Sequence, residues 1–303
     1  MLSPNFETRR LQLLHEFRLR GTVTAVAEAL AYSPSSVSHQ LSVLAREAGV
    51  PLLEPDGRRL RLTVHGEALA DHARQVLDLE EMVRGSFETA GPAVVRAGIF
   101  QSAAHAILPR ALTALAASHP ELRLESAEVP PEEGLFELAA RGFDLVIAEQ
   151  YPGHTREHHA DLARDEIGRD AIRIATPPRD RAGDLAALRD RPWVMEPVGT
   201  ASRQWAVQQC RAAGFDPDVR FEAADLTTHV RLIAAGHAVG LLPGLVWSDT
   251  PVPVRLVDLV GAPQREIFVA SRTASAARPA TTTVREALRA AFAEVASQAA
   301  QQK

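Results

Sequence analysis

The stretch Ser33–Leu44 reads SPSSVSHQLSVL: five serines, one histidine, and neither Lys nor Arg. A serine-rich segment this polar reads at first as a surface loop. Ser33 followed by Pro34, however, is a helix start. Serine accepts a hydrogen bond from the first turn, and proline fits the first helical position, where its missing N–H costs nothing. At 100° per residue Val37, Leu41, Leu44 and Ala48 fall on one stripe, with Ser35, His39, Ser42 and Arg46 opposite. Gly49 ends the helix.

The flanks complete a unit. Residues 5–20 (NFETRRLQLLHEFRLR) bring Phe6, Leu11, Leu14 and Phe17 to helical spacing, and Gly21 stops them. A short second helix, TVTAVAEAL, is capped by Thr22 or Thr24 and turns Val26, Ala27 and Leu30 inward. Two short helices at a sharp turn, the second with a polar outer face, make a helix-turn-helix. PLLEPDGRRLRLT then reads as strand, Pro55-Asp56-Gly57 turn and strand, which is a wing carrying Arg58, Arg59 and Arg61. Thr63 caps a long helix to about Phe87, in which Leu69, His72, Val76, Leu79 and Val83 recur at the 3-4 spacing of a coiled-coil seam. Gly91-Pro92 breaks the chain.

From Val94 onward strands and helices alternate, which predicts an α/β body on a parallel sheet. The strands are VVRAGIF, LRLESAEV, FDLVIAE, AIRIAT, PWVMEP, VRFEA, AVGLLP and QREIFVASR. AAHAILPRALTALAASH reads as one helix, and residues 281–299 as an Ala-rich terminal one. Two series of similar size suggest two subdomains. The expected organisation is therefore a winged helix-turn-helix over 1–62, a linker helix over 63–90 and a body over 91–303. Within the body, subdomain I takes about 92–164 and 266–300, and subdomain II about 165–265.

Charge follows the same division. The 303 residues carry a net charge of -5, but the first 65 carry +2 and leave -7 for the rest. A basic head on an acidic body hints at a polyanion partner. The absence of a long apolar run excludes a helical membrane span. With no secretory signal at the start and a single cysteine, Cys210, the chain is expected in the cytoplasm.

These residues resemble the LysR-type transcriptional regulators over essentially the whole chain. GTVTAVAEAL, SPSSVSHQLSVLAREAGVPLLE and GRRLRLTVHGE are similar to the family's helix-turn-helix, recognition helix and wing. AILPRAL, RGFDLVIAE and LIAAGHAVGLLP are similar to its effector domain. The chain has Pro34-Ser35 where Gln-Pro is usual, and His39 where Arg is frequent. The resemblance implies a homodimer or homotetramer that binds double-stranded DNA at a quasi-palindromic site. It also implies a two-subdomain body, similar to periplasmic binding proteins, with a small-molecule effector in its cleft.

On this reading the DNA-contacting candidates are Thr24, Ser33, Ser35, Ser36, Ser38, His39, Ser42, Arg46, Arg58, Arg59 and Arg61, with Gln40 and Arg10 behind them. The serine hydroxyls of this helix and His39 would read base edges, and the arginines would hold phosphates. The effector candidates sit at strand ends and helix starts: Gln101, Ser102, Glu149, Gln150, Thr200, Ser202, Arg203, Thr227 and Thr228. Arg203 could pair with a carboxylate, and a small organic acid is the expected effector. HTREHH (His154, His158, His159) has metal-like spacing but lacks further ligands, so surface histidines are the default reading. Peroxide sensing of the kind known in the family uses two cysteines, so Cys210 reads as a core residue. No catalytic motif, metal or cofactor is expected; an α/β enzyme or a solute-binding protein with an added head is the alternative.

Overall fold

The computed structural model describes residues 6–87, 93–153, 161–248 and 252–301. Gly91-Pro92 and the histidines His154, His158 and His159 lie outside the described residues. The chain separates into two compact units, Met1–Ala90 and Gly91–Lys303.

The first unit begins with α1 (Thr8–Arg20), α2 (Val23–Ala29) and α3 (Pro34–Ala48). Thr22, rather than Thr24, caps α2 by accepting from the Ala25 N–H at 3.1 Å. Ser33 caps α3 by accepting from the Ser36 N–H at 3.1 Å, with Pro34 just inside. Gly21 and Gly49 end α1 and α3 in the left-handed conformation. Val37, Leu41 and Leu44 are buried with Leu11, Leu14, Phe17, Val26 and Ala27 in one core. β1 (Leu53–Asp56) and β2 (Arg59–Leu62) pair antiparallel as the wing.

α4 (Val64–Ser86) follows, with Thr63 as cap. It buries Ala70, Ala73 and Leu77. The expected seam is split. Leu69 and Val76 pack on the head's own core, and the His72 ring meets Phe6 edge-on at 6.3 Å. Leu79 and Val83 are exposed. The first half of the heptad pattern therefore serves this unit's own core, and only the second half is bare.

The second unit contains β3 (Val94–Ile99), α5 (Gln101–Ala106), α6 (Leu108–Ser118), β4 (Arg123–Glu128), α7 (Pro131–Ala139), β5 (Leu145–Gln150) and β6 (Leu162–Thr176). β7 (Pro192–Met195), α8 (Ala201–Ala212), β8 (Asp218–Glu222), α9 (Leu226–Ala234), β9 (Gly240–Pro243), β10 (Arg255–Asp258), β11 (Gln264–Arg272) and α10 (Pro279–Gln301) complete it. The helix expected over 103–119 is two helices. Pro109 has no N–H to give to the carbonyl of His105, and its ring crowds that carbonyl.

The expected parallel sheet is mixed. β4-β3-β5 are parallel, whereas β11 runs antiparallel to both β5 and β6. β5 to β6 and β10 to β11 are joined without a described helix between them, so those strands can return antiparallel. AIRIAT is only the end of a 15-residue strand. β6 pairs with β11 along Leu162 to Ala171, then with β9 and β10 along Ile172 to Thr176. It therefore runs through both lobes. Lobe I has its main core between β3, β5, β11, α6 and α10. Lobe II is built around Trp193, Trp205, Cys210 and Ile174.

Candidate functional site

The first site is the outer face of the head. Ser35, Ser36, Ser38, His39 and Ser42 are all exposed, on the side of α3 away from Val37 and Leu41. Three of the hydroxyls have local partners. Ser33 caps the helix and shares a 3.0 Å hydrogen bond with Ser35 Oγ, and Ser42 donates to the Ser38 carbonyl at 2.9 Å. Thr24 is exposed on α2.

The arginines divide sharply. Arg10 is not available for phosphate: it bonds Gln40 Oε1 at 3.0 Å and pairs with Glu47 and Glu7, both at 2.6 Å. It clamps α1 to α3 and draws Gln40 into the same bond. Arg61 pairs with Glu54 across the wing at 2.6 Å. Arg46, Arg58 and Arg59 are exposed, and their side chains make no hydrogen bond or ion pair among the described residues. Arg9, missed in the sequence, stacks on the Tyr32 ring beside the start of α3, 4.8 Å from its centroid.

The second site lies in the body, where β5, β6 and β11 reach the crevice between the lobes. At its floor is a buried charge network centred on Arg265, which is 2 % exposed. Its guanidinium bonds Asp170 at 2.7 and 2.9 Å, Ser102 Oγ at 2.8 Å, and the Glu149 carboxylate. Arg265 and Asp170 face each other in register on β11 and β6. Burial alone would drive the proton off, but Glu149 and Asp170 outweigh it and hold Arg265 charged. Asp170 also accepts from the Leu245 N–H at 3.1 Å, tying the segment after β9 to the same charge. The network sums to one excess negative charge, and Arg265 is committed within it.

Above the floor two cavities open. One, of about 30 Å³, is lined by Tyr151, Glu196, Ser202, Arg203, Leu226 and His229 among others. The other, of about 150 Å³, takes its wall from Gln101, Ser102, His105, Thr227, Val230 and Trp247. Between them a side chain bridges the lobes. Gln101 donates to Asp225 at 2.9 Å and accepts from the Leu226 N–H at 2.8 Å. Asp225 also caps α9 through the N–H groups of Thr227 and Thr228 at 2.8 and 3.2 Å. Although desolvation works the other way, these donors hold its carboxyl at about 2, so it is ionised at neutral pH.

The sequence candidates separate accordingly. Ser102 and Glu149 meet at Arg265; Ser202 and Arg203 meet at the smaller cavity; Gln101 and Thr227 meet at the larger one. Thr200 caps α8, accepting from the Arg203 N–H at 3.3 Å and from Ser202 Oγ at 3.1 Å. Thr228 turns its hydroxyl to Asp225 at 2.9 Å and lines neither cavity. Gln150 is likewise outside both walls.

Arg265, Asp170, Tyr151, Glu196 and His229 were not foreseen. Glu196 had a signal, since it ends the strand PWVM as Glu149 ends FDLVIA. Burial, reinforced by Glu149 and opposed by Arg265, pushes its carboxyl up to about 8. Tyr151 is raised by burial first and Glu149 second, so it stays a neutral phenol. No cluster of three or more His, Cys, Asp or Glu suited to a metal occurs among the described residues.

Comparison with known proteins matches both units of the chain to one family. Residues 8–67 match the bacterial regulatory helix-turn-helix protein, lysR family, and residues 92–293 match the LysR substrate binding domain. The chain is 27% identical over 255 residues to the transcriptional dual regulator GltC of Bacillus subtilis, covering 80% of this chain and 83% of that one. It is 27% identical over 261 residues to the malonate utilization transcriptional regulator of Klebsiella pneumoniae, covering 83% of each. A full-length OxyR variant from Pseudomonas aeruginosa has the same fold, with a TM-score of 0.65 at 18% identity and 95% of both chains covered. With both halves of the chain matched, the head and the body together make this protein a member of the LysR family: a transcriptional regulator with a winged helix-turn-helix and an effector-binding domain.

Proposed function

We propose that this regulator reads a quasi-palindromic DNA site and responds to a small organic acid held at the first turn of α8. Ser35, Ser36, Ser38 and His39 supply the base-reading groups, and Arg46, Arg58 and Arg59 the phosphate grip. The observation that carries the effector reading is the opening of the α8 N-terminus onto the crevice cavity, with Ser202 and Arg203 in its wall. First-turn N–H groups have no partner within their own helix, and the helix dipole favours an anion there. Arg203 spends one nitrogen on the Glu196 carbonyl at 2.9 Å and on Glu222 at 3.4 Å, which leaves other donors for a carboxylate. One relative is named as a transcriptional regulator of malonate utilization, and malonate is a small organic acid.

Gln101 gives such a ligand a way to act. A molecule wedged between the lobes would displace the Gln101 bridge to Asp225 and α9, and so change the lobe spacing. Cys210 offers no rival redox reading. It is buried, and burial pushes its thiol up to about 12, so no thiolate is present at neutral pH.

A gel-shift titration on the DNA upstream of the chain's own gene tests the proposal, with malonate, succinate, benzoate and the L-amino acids added singly. A retarded band whose affinity or mobility one acid changes, with that response lost in Arg203→Ala, is the expected result. A band that no acid changes, or a response equal in Arg203→Ala, would overturn the effector assignment.

A further inference from the structure

Resting on the reading that an acid docks at α8, we infer that the effector also carries a positively charged amino group, held between Glu196 and His229. The effector class is then an amino acid or another small amine-bearing acid, not a plain carboxylic acid.

The inference starts from His229, which is 2 % exposed and part of the smaller cavity's wall. Its Nε2 lies 2.7 Å from the Ala223 carbonyl. A carbonyl can only accept, so Nε2 carries the proton. Burial, although opposed by that carbonyl and by Asp225, lowers the ring's proton affinity, so the imidazole is neutral. Nδ1 is therefore a bare acceptor, with no partner among the described residues. Standing on the cavity wall, it is open to a donor on a ligand.

Glu196 stands in the same wall. Its carboxyl makes no hydrogen bond or ion pair among the described residues, while its backbone carbonyl takes Arg203. The groups around it explain why it is unpaired. Glu149 from β5 and Glu132 from α7 repel it, and Arg265 from β11 is already shared by Glu149 and Asp170. Tyr151 is a neutral phenol, and Arg203 turns one nitrogen to the Glu196 backbone carbonyl and to Glu222, not to the Glu196 carboxyl. A bare imidazole acceptor and an unpaired, still protonated carboxyl thus share one cavity wall, under an excess negative charge on the floor. A small cation with N–H donors satisfies all three conditions. A carboxylate alone at this spot satisfies none.

The two ends of the site are chemically opposite. The α8 turn and Arg203 suit an anion; Glu196 and His229 suit a cation. At about 30 Å³ the cavity admits an amino group but not a bulky one, and the rest of the ligand extends toward the crevice. Binding a cation makes Glu196 give up its proton, so affinity should rise with pH until that carboxyl is ionised unaided.

Thermal-shift and calorimetric titration of the full chain test this, with each L-amino acid set against its 2-hydroxy counterpart, and with succinate and methylammonium as single-ended probes. At least one amine-bearing acid should stabilise the chain where its hydroxy counterpart does not. Its affinity should be about tenfold higher at pH 8.5 than at pH 6.5. Glu196→Gln keeps the shape of the neutral carboxyl, so DNA binding reports that it folds. That variant should lose at least tenfold in affinity for the amine-bearing acid and lose the pH dependence. The inference is overturned if no amine-bearing probe stabilises the chain, if hydroxy acids bind equally, or if Glu196→Gln binds unchanged. Stabilisation by succinate and hydroxy acids that Arg203→Ala removes would leave the acid site standing and sink only the amino group.

Discussion

Glu196 gives the sharpest test at the level of single residues, because its titration must show in stability as well as in binding. An ordinary Glu side chain ionises near 4.5, and the fold raises this one to about 8. The folded state therefore holds a proton that the unfolded chain releases. The stabilising preference is complete below about pH 4.5 and is lost as pH rises toward 8. Glu196→Gln removes the effect, so the variant should gain on the wild type steadily across that window. By pH 8.5 the gain should be on the order of 2 kcal/mol, discounted for the water that reaches this half-buried group. Urea melts of both proteins at pH 5.5 and 8.5 check it; a constant difference between them contradicts the raised carboxyl. On the head, Arg59→Ala should weaken DNA binding across sequences and lower the salt slope by about one ion. Arg10→Ala should instead lower stability, since Arg10 is spent on Glu47, Glu7 and Gln40. Equal salt slopes for wild type and Arg59→Ala would contradict the phosphate role. Ser102, Ser202 and Arg203 were legible in the sequence because strand ends and helix starts mark a crevice. Arg265 was not: its partners Asp170, Glu149 and Ser102 lie 95, 116 and 163 residues away, and no local pattern joins them.

Among the elements, capping and periodicity found the helices, and context decided the strands. Ser33-Pro34, Thr63 and Gly49 act locally, so α3 and α4 could be bounded from the sequence. β6 could not. Its stretch LARDEIGRD is rich in charge and has no apolar alternation that marks a strand, yet Asp165 is taken by Arg285 and Arg289 of α10 and Asp170 by Arg265. Tertiary ion pairs made a strand of a polar run. Pro109 in AILPRAL lies inside the single helix expected over 103–119, and the chain breaks there into α5 and α6. Packing also explains Gly66, in the first turn of α4. A Cβ there would meet the Leu52 carbonyl oxygen at 2.1 Å, so only glycine lets α4 seat against the wing's lead-in. Gly66→Ala should cost about 1–3 kcal/mol by overpacking. It should also weaken DNA binding, because the wing carrying Arg58 and Arg59 is displaced. Thermal unfolding together with gel shifts reads both; unchanged values in each would show that the contact relaxes freely.

On the scale of the whole molecule the open question is what covers the distal half of α4. Leu79 is 58% exposed and Phe87 76%, with Met82 and Val83 bare between them. A run of large apolar side chains on one helix face is seldom left to water. Along the proximal half, the same 3-4 pattern is closed by the head's own core, so the pattern calls for a partner only beyond Val76. The family's oligomeric habit supplies one: a second copy laying its own Leu79 and Val83 against these, as seam positions do. The dimer then presents two recognition helices, which is what a quasi-palindromic site requires. Leu79→Glu with Val83→Glu places two acids on the seam and should leave each head folded, since neither residue is in its core. Sedimentation should show the monomer at micromolar concentration, and gel shifts on a full site should lose about tenfold or more, because one head would bind without its twin. The half-site affinity should stay unchanged. A variant that sediments as the wild type does would mean that the bare half of α4 is not where the copies meet.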